Sequence, residues 1–510
     1  MTGFALNSNS DETPQNRMFT RYKDNIPGML SRLDQKTFSA SAYDTAWVAR
    51  VTEPSNRQCL SYPMALDWLR QHQHPDGSWG GAIEYFHDRI ISTLNALVTL
   101  SSIGDQAGDR LAISNGERYI WQHFDHLIND PQDTVGFELI LPVLFDQASE
   151  LGLDLPYEKC RPYRRIRSEK LGLIPEDLLY SRKVSSTHSL EFLGNSLKTD
   201  ALANLQEANG SYGNSPGASA YVLTICPNNM PARKYVEEVI SMDSGSAIAA
   251  HPVDIFNKSW VLYHLDLTGN LIDSIDLARH HLEDLWQSWD CEWGVGFARH
   301  YPVVDLDDTA IVYKLLRRYG YRANPDVFLQ YEKDTHFSCY TFERTPSVGA
   351  NVHLLDALGS SPGFEHRGRM LRKLIRFLRT SRVDNAFWSD KWHISPYYIT
   401  SHAVTALIGF DNDLARGAVQ WILSTQRPDG AWGYYCPTSE ETAYCLQALI
   451  TYHNLVERLD ITRLYRGADY LCQHANDRHY PEMWIEKSLY TPIHIVEAAI
   501  LSALIMVENL

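Results

Sequence analysis

Two stretches of this chain are near copies: Gln73-His74-Pro75-Asp76-Gly77-Ser78-Trp79-Gly80 and Gln426-Arg427-Pro428-Asp429-Gly430-Ala431-Trp432-Gly433. Each follows a helical pattern, Trp68-Leu69-Arg70 in one case and Trp421-Ile422-Leu423 in the other. Pro-Asp-Gly then breaks the helix into a turn. Weaker copies run from Gln206 to Tyr212 and from Gln287 to Trp293. In every copy a Gln precedes an aromatic ring by the same spacing. The physical reading is a helix–turn unit in which the Gln amide ties turn groups and the ring packs on the neighbouring helix. Such units bury their apolar faces only by stacking on one another. Alternating inner and outer helices that close on themselves give an α/α toroid. The copies fall in both halves of the chain, so two toroids are expected.

The remaining pattern is helical as well. Ser41-Ala42-Tyr43-Asp44-Thr45-Ala46-Trp47-Val48-Ala49 is a helix with its apolar and aromatic positions on one side. Helical periodicity also covers 90–101, 136–152, 260–267, 351–358, 369–380, 442–452 and 491–507. Tyr221–Cys226 has strand-like composition but is read as a helix end. The expected class is all-α, with residues 1–25 as a disordered N-terminus. The 62 acidic residues against 46 basic ones leave a net charge of −16, which argues against nucleic acid and against an electrostatic hold on anionic lipid. Eight scattered cysteines without a CxxC pair read as reduced thiols of a cytoplasmic protein. Met1–Arg17 lacks the apolar stretch of a signal peptide, and no run approaches the ~20 apolar residues of a transmembrane segment.

Asp305-Leu306-Asp307-Asp308-Thr309-Ala310 is the chemically loaded stretch. Three carboxylates lie within four positions, ahead of the apolar run Ile311, Val312, Leu315 and Leu316. A helix N-terminus favours negative charge. Carboxylates this close cannot all ionise cheaply, so at least one should hold its proton near neutral pH and act as a Brønsted acid. The alternative is an acidic N-cap.

A dozen segments in order now resemble the class II diterpene cyclases, relatives of the squalene–hopene cyclases. They include SAYDTAW, QxxDGSWG, HDRIISTL (His87–Leu94), VGFELILP (Val135–Pro142), THSLE (Thr187–Glu191), HPVDIF (His251–Phe256), DLDDTA, SVGANVH (Ser347–His353), DKWHISPYY (Asp390–Tyr398) and WIEKSLY (Trp484–Tyr490). The length is similar to the bacterial two-domain members that make halimadienyl, kolavenyl or copalyl diphosphates. The resemblance implies two α/α-barrel domains. One, carrying DxDD, would comprise 26–54 and 256–510; the other, 55–255, would be inserted into it. It implies an isomerase that protonates the terminal alkene of geranylgeranyl diphosphate and closes rings while the diphosphate stays on. Asp307 would be the acid, crowded by Asp305 and Asp308. Asn351 would orient its proton, with Ser347 as helper. Lys170, Lys391 and Lys487 would bind the diphosphate. Asp130 and Asp133 would hold Mg²⁺, although the family's leading Glu is replaced by Asn129. Trp388, Trp392, Tyr397 and Tyr398 are nominated to stabilise cations. In copalyl-type relatives a His–Asn pair holds the water that ends the reaction. His188 matches the His, but the Asn position is Ala249, so a rearranged, halimadienyl or kolavenyl type of product is expected. A class I terpene synthase or a phosphatase would act downstream.

Three other classes compete with this reading. A toroid glycosidase needs two acids about 5–9.5 Å apart across a cleft, which three adjacent acids do not supply. A class I synthase needs a DDxxD helix, absent from this sequence. An inert helical scaffold would make the acid, its Asn and the lysines a coincidence.

Overall fold

The computed structural model describes residues 22–510 apart from 36, 37, 342, 476 and 478. Its helices form two closed rings. In the first, Ala42–Ala49, Phe86–Ile103, Phe137–Glu150, the kinked 3₁₀ segment Ser185–Ser196 and Pro216–Ile225 touch in succession, and the last packs back on the first. Pro63–Gln71, Ala107–His123, Arg161–Leu173 and Met230–Ser241 lie outside them. The second ring runs through Asp254–Asp266, Leu306–Arg318, Val348–Gly359, Pro396–Leu407, Ser439–Leu455 and Ile493–Glu508, which closes on Asp254–Asp266. Inner and outer helices alternate along the chain, as the repeat pattern requires. Their chemistry differs accordingly. Ser439–Leu455 is buried on nearly every side, whereas the outer helix Arg367–Thr380 buries Met370, Leu371, Leu374 and Leu378 in one stripe and turns its arginines outward.

The repeated turns are built as the sequence suggests. Gln73, Gln206 and Gln426 each donate from Nε2 to the carbonyl of Gly77, Gly210 and Gly430, at 2.9 Å in all three. Trp79 and Trp432 donate from the indole N–H to Leu69 O and Ile422 O, ten positions back, at 2.8 and 2.7 Å. Two details depart from expectation. The Gln287–Trp293 copy is not such a turn: Trp293 is half exposed, and the Trp293 carbonyl is instead tied by Gln330. A further copy has Arg382 in the Gln position, donating to Asn385 O at 2.7 Å, with Trp388 on Leu378 O at 2.8 Å.

Other expectations also change. Tyr22–Asn25 is a 3₁₀ turn rather than disordered chain. The Tyr22 hydroxyl lies 3.2 Å from Cys472 Sγ, and its backbone N–H donates to Glu508; residues 1–21 lie outside the described residues. The helix at Tyr43 packs on Pro63–Gln71, Phe86–Ile103 and Pro216–Ile225, all in the first ring, while Ile26–Leu30 packs on Ile275–Ser288 of the second. The chain therefore crosses between rings before Ala42, and not after residue 54. Two short antiparallel pairs, 52–53 with 56–60 and 484–485 with 489–490, interrupt the all-α pattern.

The second hairpin holds the rings together. Lys487 lies at its tip, fully buried, 2.6 Å from Ser215 Oγ, 3.0 Å from Glu191 Oε1 and 3.4 Å from Asp44 Oδ1, all in the first ring. Leu489 N donates to Asp88 Oδ1 at 3.0 Å and Val135 N to Glu486 O at 2.8 Å. Burial opposes the Lys487 charge, but Asp44, Glu191 and Glu486 outweigh it and raise its pKa. With one cation set against three acids, burial pushes Asp44 up to about 6 despite Lys487.

Gly430 has φ +92°, and an added Cβ would stand 2.3 Å from Arg466 O. Gly430→Ala is expected to lose about 1–3 kcal/mol of stability, from backbone strain and the displaced helix. Gly152, at φ +73° with open space around it, should lose roughly 1–2 kcal/mol as Gly152→Ala. Denaturant titration of both variants tests the ranking.

Candidate active site

The acidic stretch proves to be both a cap and a cluster of acids. Asp305 is the N-cap of Leu306–Arg318, its Oδ1 accepting from Asp308 N at 2.8 Å. Leu306 N donates to Cys339 O at 2.9 Å, and Thr309 Oγ1 exchanges hydrogen bonds with the Val295 backbone at 3.0 Å. These ties fix the first turn, and Asp305, Asp307 and Asp308 all line one interior cavity. Burial pushes Asp305 up to about 7, backbone hydrogen bonds opposing and Asp307 adding to it. Burial, reinforced by Asp305, pushes Asp308 well above the ordinary carboxylate range. Both have one oxygen without a partner. The pair thus retains at least one proton at neutral pH, as crowding requires.

Asp307 has a different partner from the one expected. Its Oδ1 lies 2.5 Å from His353 Nδ1, and His353 Nε2 lies 2.7 Å from His402 Nδ1. His402 is held well below its ordinary pKa by burial and by the neighbouring His353 and His264. Asn351 does not reach the acid. It clamps the Phe337 backbone, accepting from N at 2.9 Å and donating to O at 2.7 Å, and donates to Ser347 O at 2.8 Å. Ser347 caps its own helix and donates to Asp390 at 3.1 Å. Successive helical positions differ by about 100°, so residues 351 and 353 face different ways.

The cavity, about 190 Å³ in volume, lies between the rings. Phe256, Trp260, Phe297, Trp392, Trp484 and Tyr490 supply most of its apolar wall. Of the nominated rings, Trp392 lines it. Trp388 is instead the indole of a repeat turn, and Tyr397 packs on Trp421 at 4.8 Å between centroids. Tyr398 sits behind the wall, accepting from Trp260 Nε1 at 3.0 Å. His188 lines the cavity with Glu486: Nδ1 donates to Gly213 O at 2.7 Å, and Nε2 stands 2.5 Å from Glu486 Oε1, off the N–H axis. Ala249 is buried but off the wall; its neighbour Ala250 lines it.

A larger vestibule of about 1060 Å³ shares Val135, Ser185, Tyr301, Tyr340 and Trp392 with the cavity. Its lining includes Lys170, Lys183, Arg299, Arg344 and Lys391 among Asp133, Glu138, Asp290 and Glu343. Lys170 pairs with Glu138, and Lys391 with Glu343. Arg344 and Lys183 have no acidic partner among the described residues. Lys487 lines neither space; its ammonium is taken up by the inter-ring ion cluster behind Glu486. Asp130 is turned inward, its Oδ2 accepting from His87 N at 2.7 Å and His87 Nδ1 at 2.9 Å. That carboxylate does not fit a Mg²⁺ ligand. Asp133 does: its side chain is 54% exposed and faces the vestibule, although Oδ1 lies 3.1 Å from His87 Nε2. Among the described residues no group of three or more His, Cys, Asp or Glu side chains forms a metal nest.

The C-terminal domain model of the squalene–hopene cyclases matches residues 341–485. The type B diterpene cyclase of Mycobacterium tuberculosis is 35% identical over 490 residues, covering 92% of this chain and 96% of that protein. The chain belongs to the class II diterpene cyclases. The ent-copalyl diphosphate synthase of Streptomyces platensis superposes with a TM-score of 0.79 at 27% identity, over 95% of this chain and 99% of that one. Ent-copalyl diphosphate synthase 1 of Oryza sativa is 32% identical over 73% of this chain, which spans 43% of the rice cyclase. No helix among the described residues of this cyclase is long and apolar enough to cross a membrane.

The Asp305 shift has a measurable consequence. Its pKa in the fold, about 7, lies above the ordinary 3.8. The folded state therefore binds a proton that the unfolded chain has released. The resulting stabilisation is complete below pH ~4 and is lost as pH rises through ~7. Asp305→Asn keeps a capping oxygen and removes the titration. Its melting temperature should fall less than that of the wild type between about pH 5 and about pH 8.

Proposed function

We propose that this cyclase converts geranylgeranyl diphosphate to a bicyclic diterpenyl diphosphate by protonation, with the diphosphate retained. The observation that carries the reading is the pairing of Asp307 with His353 at the wall of an aromatic cavity that opens into a vestibule bearing Arg344 and Lys183 without acidic partners among the described residues. An alkene is a weak base, so its protonation needs a desolvated, positioned acid. His353 Nδ1 engages one Asp307 oxygen and leaves the other for the terminal alkene. The π pair takes the proton, and the resulting cation is attacked by the next double bond. Trp260, Trp392 and Trp484 offer ring faces to the positive charge as it moves. The cavity holds the isoprenoid tail and the vestibule the diphosphate, beside Arg344, Lys183 and the more guarded Lys170 and Lys391. Phosphate binding at the last two exchanges their glutamates for substrate oxygens.

Mg²⁺ would enter with the diphosphate, Asp133 contributing a carboxylate. Held there, the cation would neutralise phosphate charge and help seat the diphosphate. The product reading is a rearranged, halimadienyl or kolavenyl skeleton, supported by Ala249 in the position of the base-holding Asn. His188 on the cavity wall favours the second reading, an unrearranged copalyl product. A class I terpene synthase or a phosphatase would consume either.

Asp307→Asn should lower turnover of geranylgeranyl diphosphate by about 10²–10⁴-fold or more with an unchanged melting temperature; full activity in this variant would sink the mechanism. Arg344→Ala should raise KM with a smaller change in kcat, as loss of uniform binding does. Dephosphorylation and chromatography of the wild-type product separate the two skeletons, an unrearranged copalol refuting the first.

A further inference from the structure

The geometry points to Glu486, seated against His188, as the group that takes the final proton. This rests on the cyclase reading above and goes beyond it, because the family's base position is empty of polar atoms here. Ala247, Ile248, Ala249 and Ala250 are all apolar and buried. The cavity still needs an acceptor, since the last cation becomes a neutral alkene only by losing a proton.

The other polar groups on the wall are poor acceptors. Asp305 and Asp308 form a buried pair that already carries a proton, Asp308 being held well above the carboxylate range. Burial raises the Cys339 thiol, and likewise the Tyr340 and Tyr490 phenols, so all three stay neutral. Neutral thiols and phenols give up lone pairs weakly. Asp307 becomes a carboxylate on giving its proton, but it is tied to His353 at the start of the reaction path.

The hydrogen-bond pattern around His188 assigns the accepting atom. Gly213 O can only accept, so His188 Nδ1 carries a proton. At 2.5 Å from Glu486 Oε1, Nε2 cannot present a bare lone pair to a carboxylate. His188 thus stands as an imidazolium against the carboxylate, its Nε2–H turned off the oxygen, and Glu486 is the member of the pair that can accept a further proton. Its Oε2 accepts from Lys487 N. One of about four carboxylate lone pairs is used by that bond. Burial favours protonated Glu486, but His188 and Lys487 outweigh it and hold it ionised. Burial likewise opposes the His188 charge and Glu486 overrides it.

The step balances. A C–H bond beside the cationic carbon breaks, and its electron pair becomes the new C=C bond. The proton goes to a Glu486 oxygen, matching the one that Asp307 gave. Val135 and Ser185 line both cavity and vestibule close to this pair, offering the proton a way back to water.

The test is product analysis of Glu486→Gln and Glu486→Gly with geranylgeranyl diphosphate, after dephosphorylation, with melting temperatures measured alongside. Both variants should turn over more slowly. In each, the wild-type alkene should fall below about half of the total, replaced by alcohols from water capture or by double-bond isomers. A structural role would lower turnover and leave the product ratio intact. The wild-type product ratio in either folded variant overturns the assignment. Glu486→Asp, which keeps a carboxylate, should recover more of the wild-type alkene than Glu486→Gln. No conversion by the wild type would instead refute the cyclase reading itself.

Discussion

Everything in this molecule that resembles a reaction vessel depends on a buried ammonium. Lys487 projects from the second ring into the first and meets Asp44, Glu191 and Ser215 with no exposure to solvent. Desolvating that charge is costly, and only its acidic neighbours offset it. Removing a single partner would leave the others uncompensated. The cluster therefore specifies one relative placement of the rings, and the cavity between them inherits that placement. Asp307 comes from one ring and His188 from the other; their common cavity exists because the hairpin at Lys487 is pinned.

The acidic stretch illustrates how one short segment serves two purposes. Asp305 does what a helix N-cap does, and the same geometry presents Asp307 to the cavity and buries Asp308. Capping and acid chemistry are thus complementary readings of these residues. The cap fixes the backbone, and the fixed backbone aims Asp307 at the cavity. His353 and His402 extend this order into the middle of the second ring, where both are buried.

Much of this was legible from residues alone. The Gln–turn–aromatic repeats announced alternating inner and outer helices, because their spacing encodes a local hydrogen bond that recurs unchanged at Gln73, Gln206 and Gln426. The acidic cluster was legible because like charges on a short apolar segment have few inexpensive arrangements. What failed was side-chain direction. Asn351 and His353 share a segment and a helix, and only the rotation of that helix against its neighbours decides which one meets Asp307. Lys487 reads as a phosphate ligand until three distant partners, at 44, 191 and 215, come together around it. Trp388 reads as a cavity ring until Arg382 is seen to stand in for a glutamine. Glu486 had no signal, since its significance comes from His188, nearly three hundred positions away.

The neck between cavity and vestibule has a consequence for timing. Tyr301, Tyr340 and Trp392 border both spaces. A linear isoprenoid can thread such a passage end-on, but a fused bicycle is wider than the chain from which it was made. Under the proposed reaction, a bicycle formed in the cavity has to repass these three rings to leave. Release then waits on their side-chain rotation, so the step that sets the pace of the cycle can lie outside the chemistry.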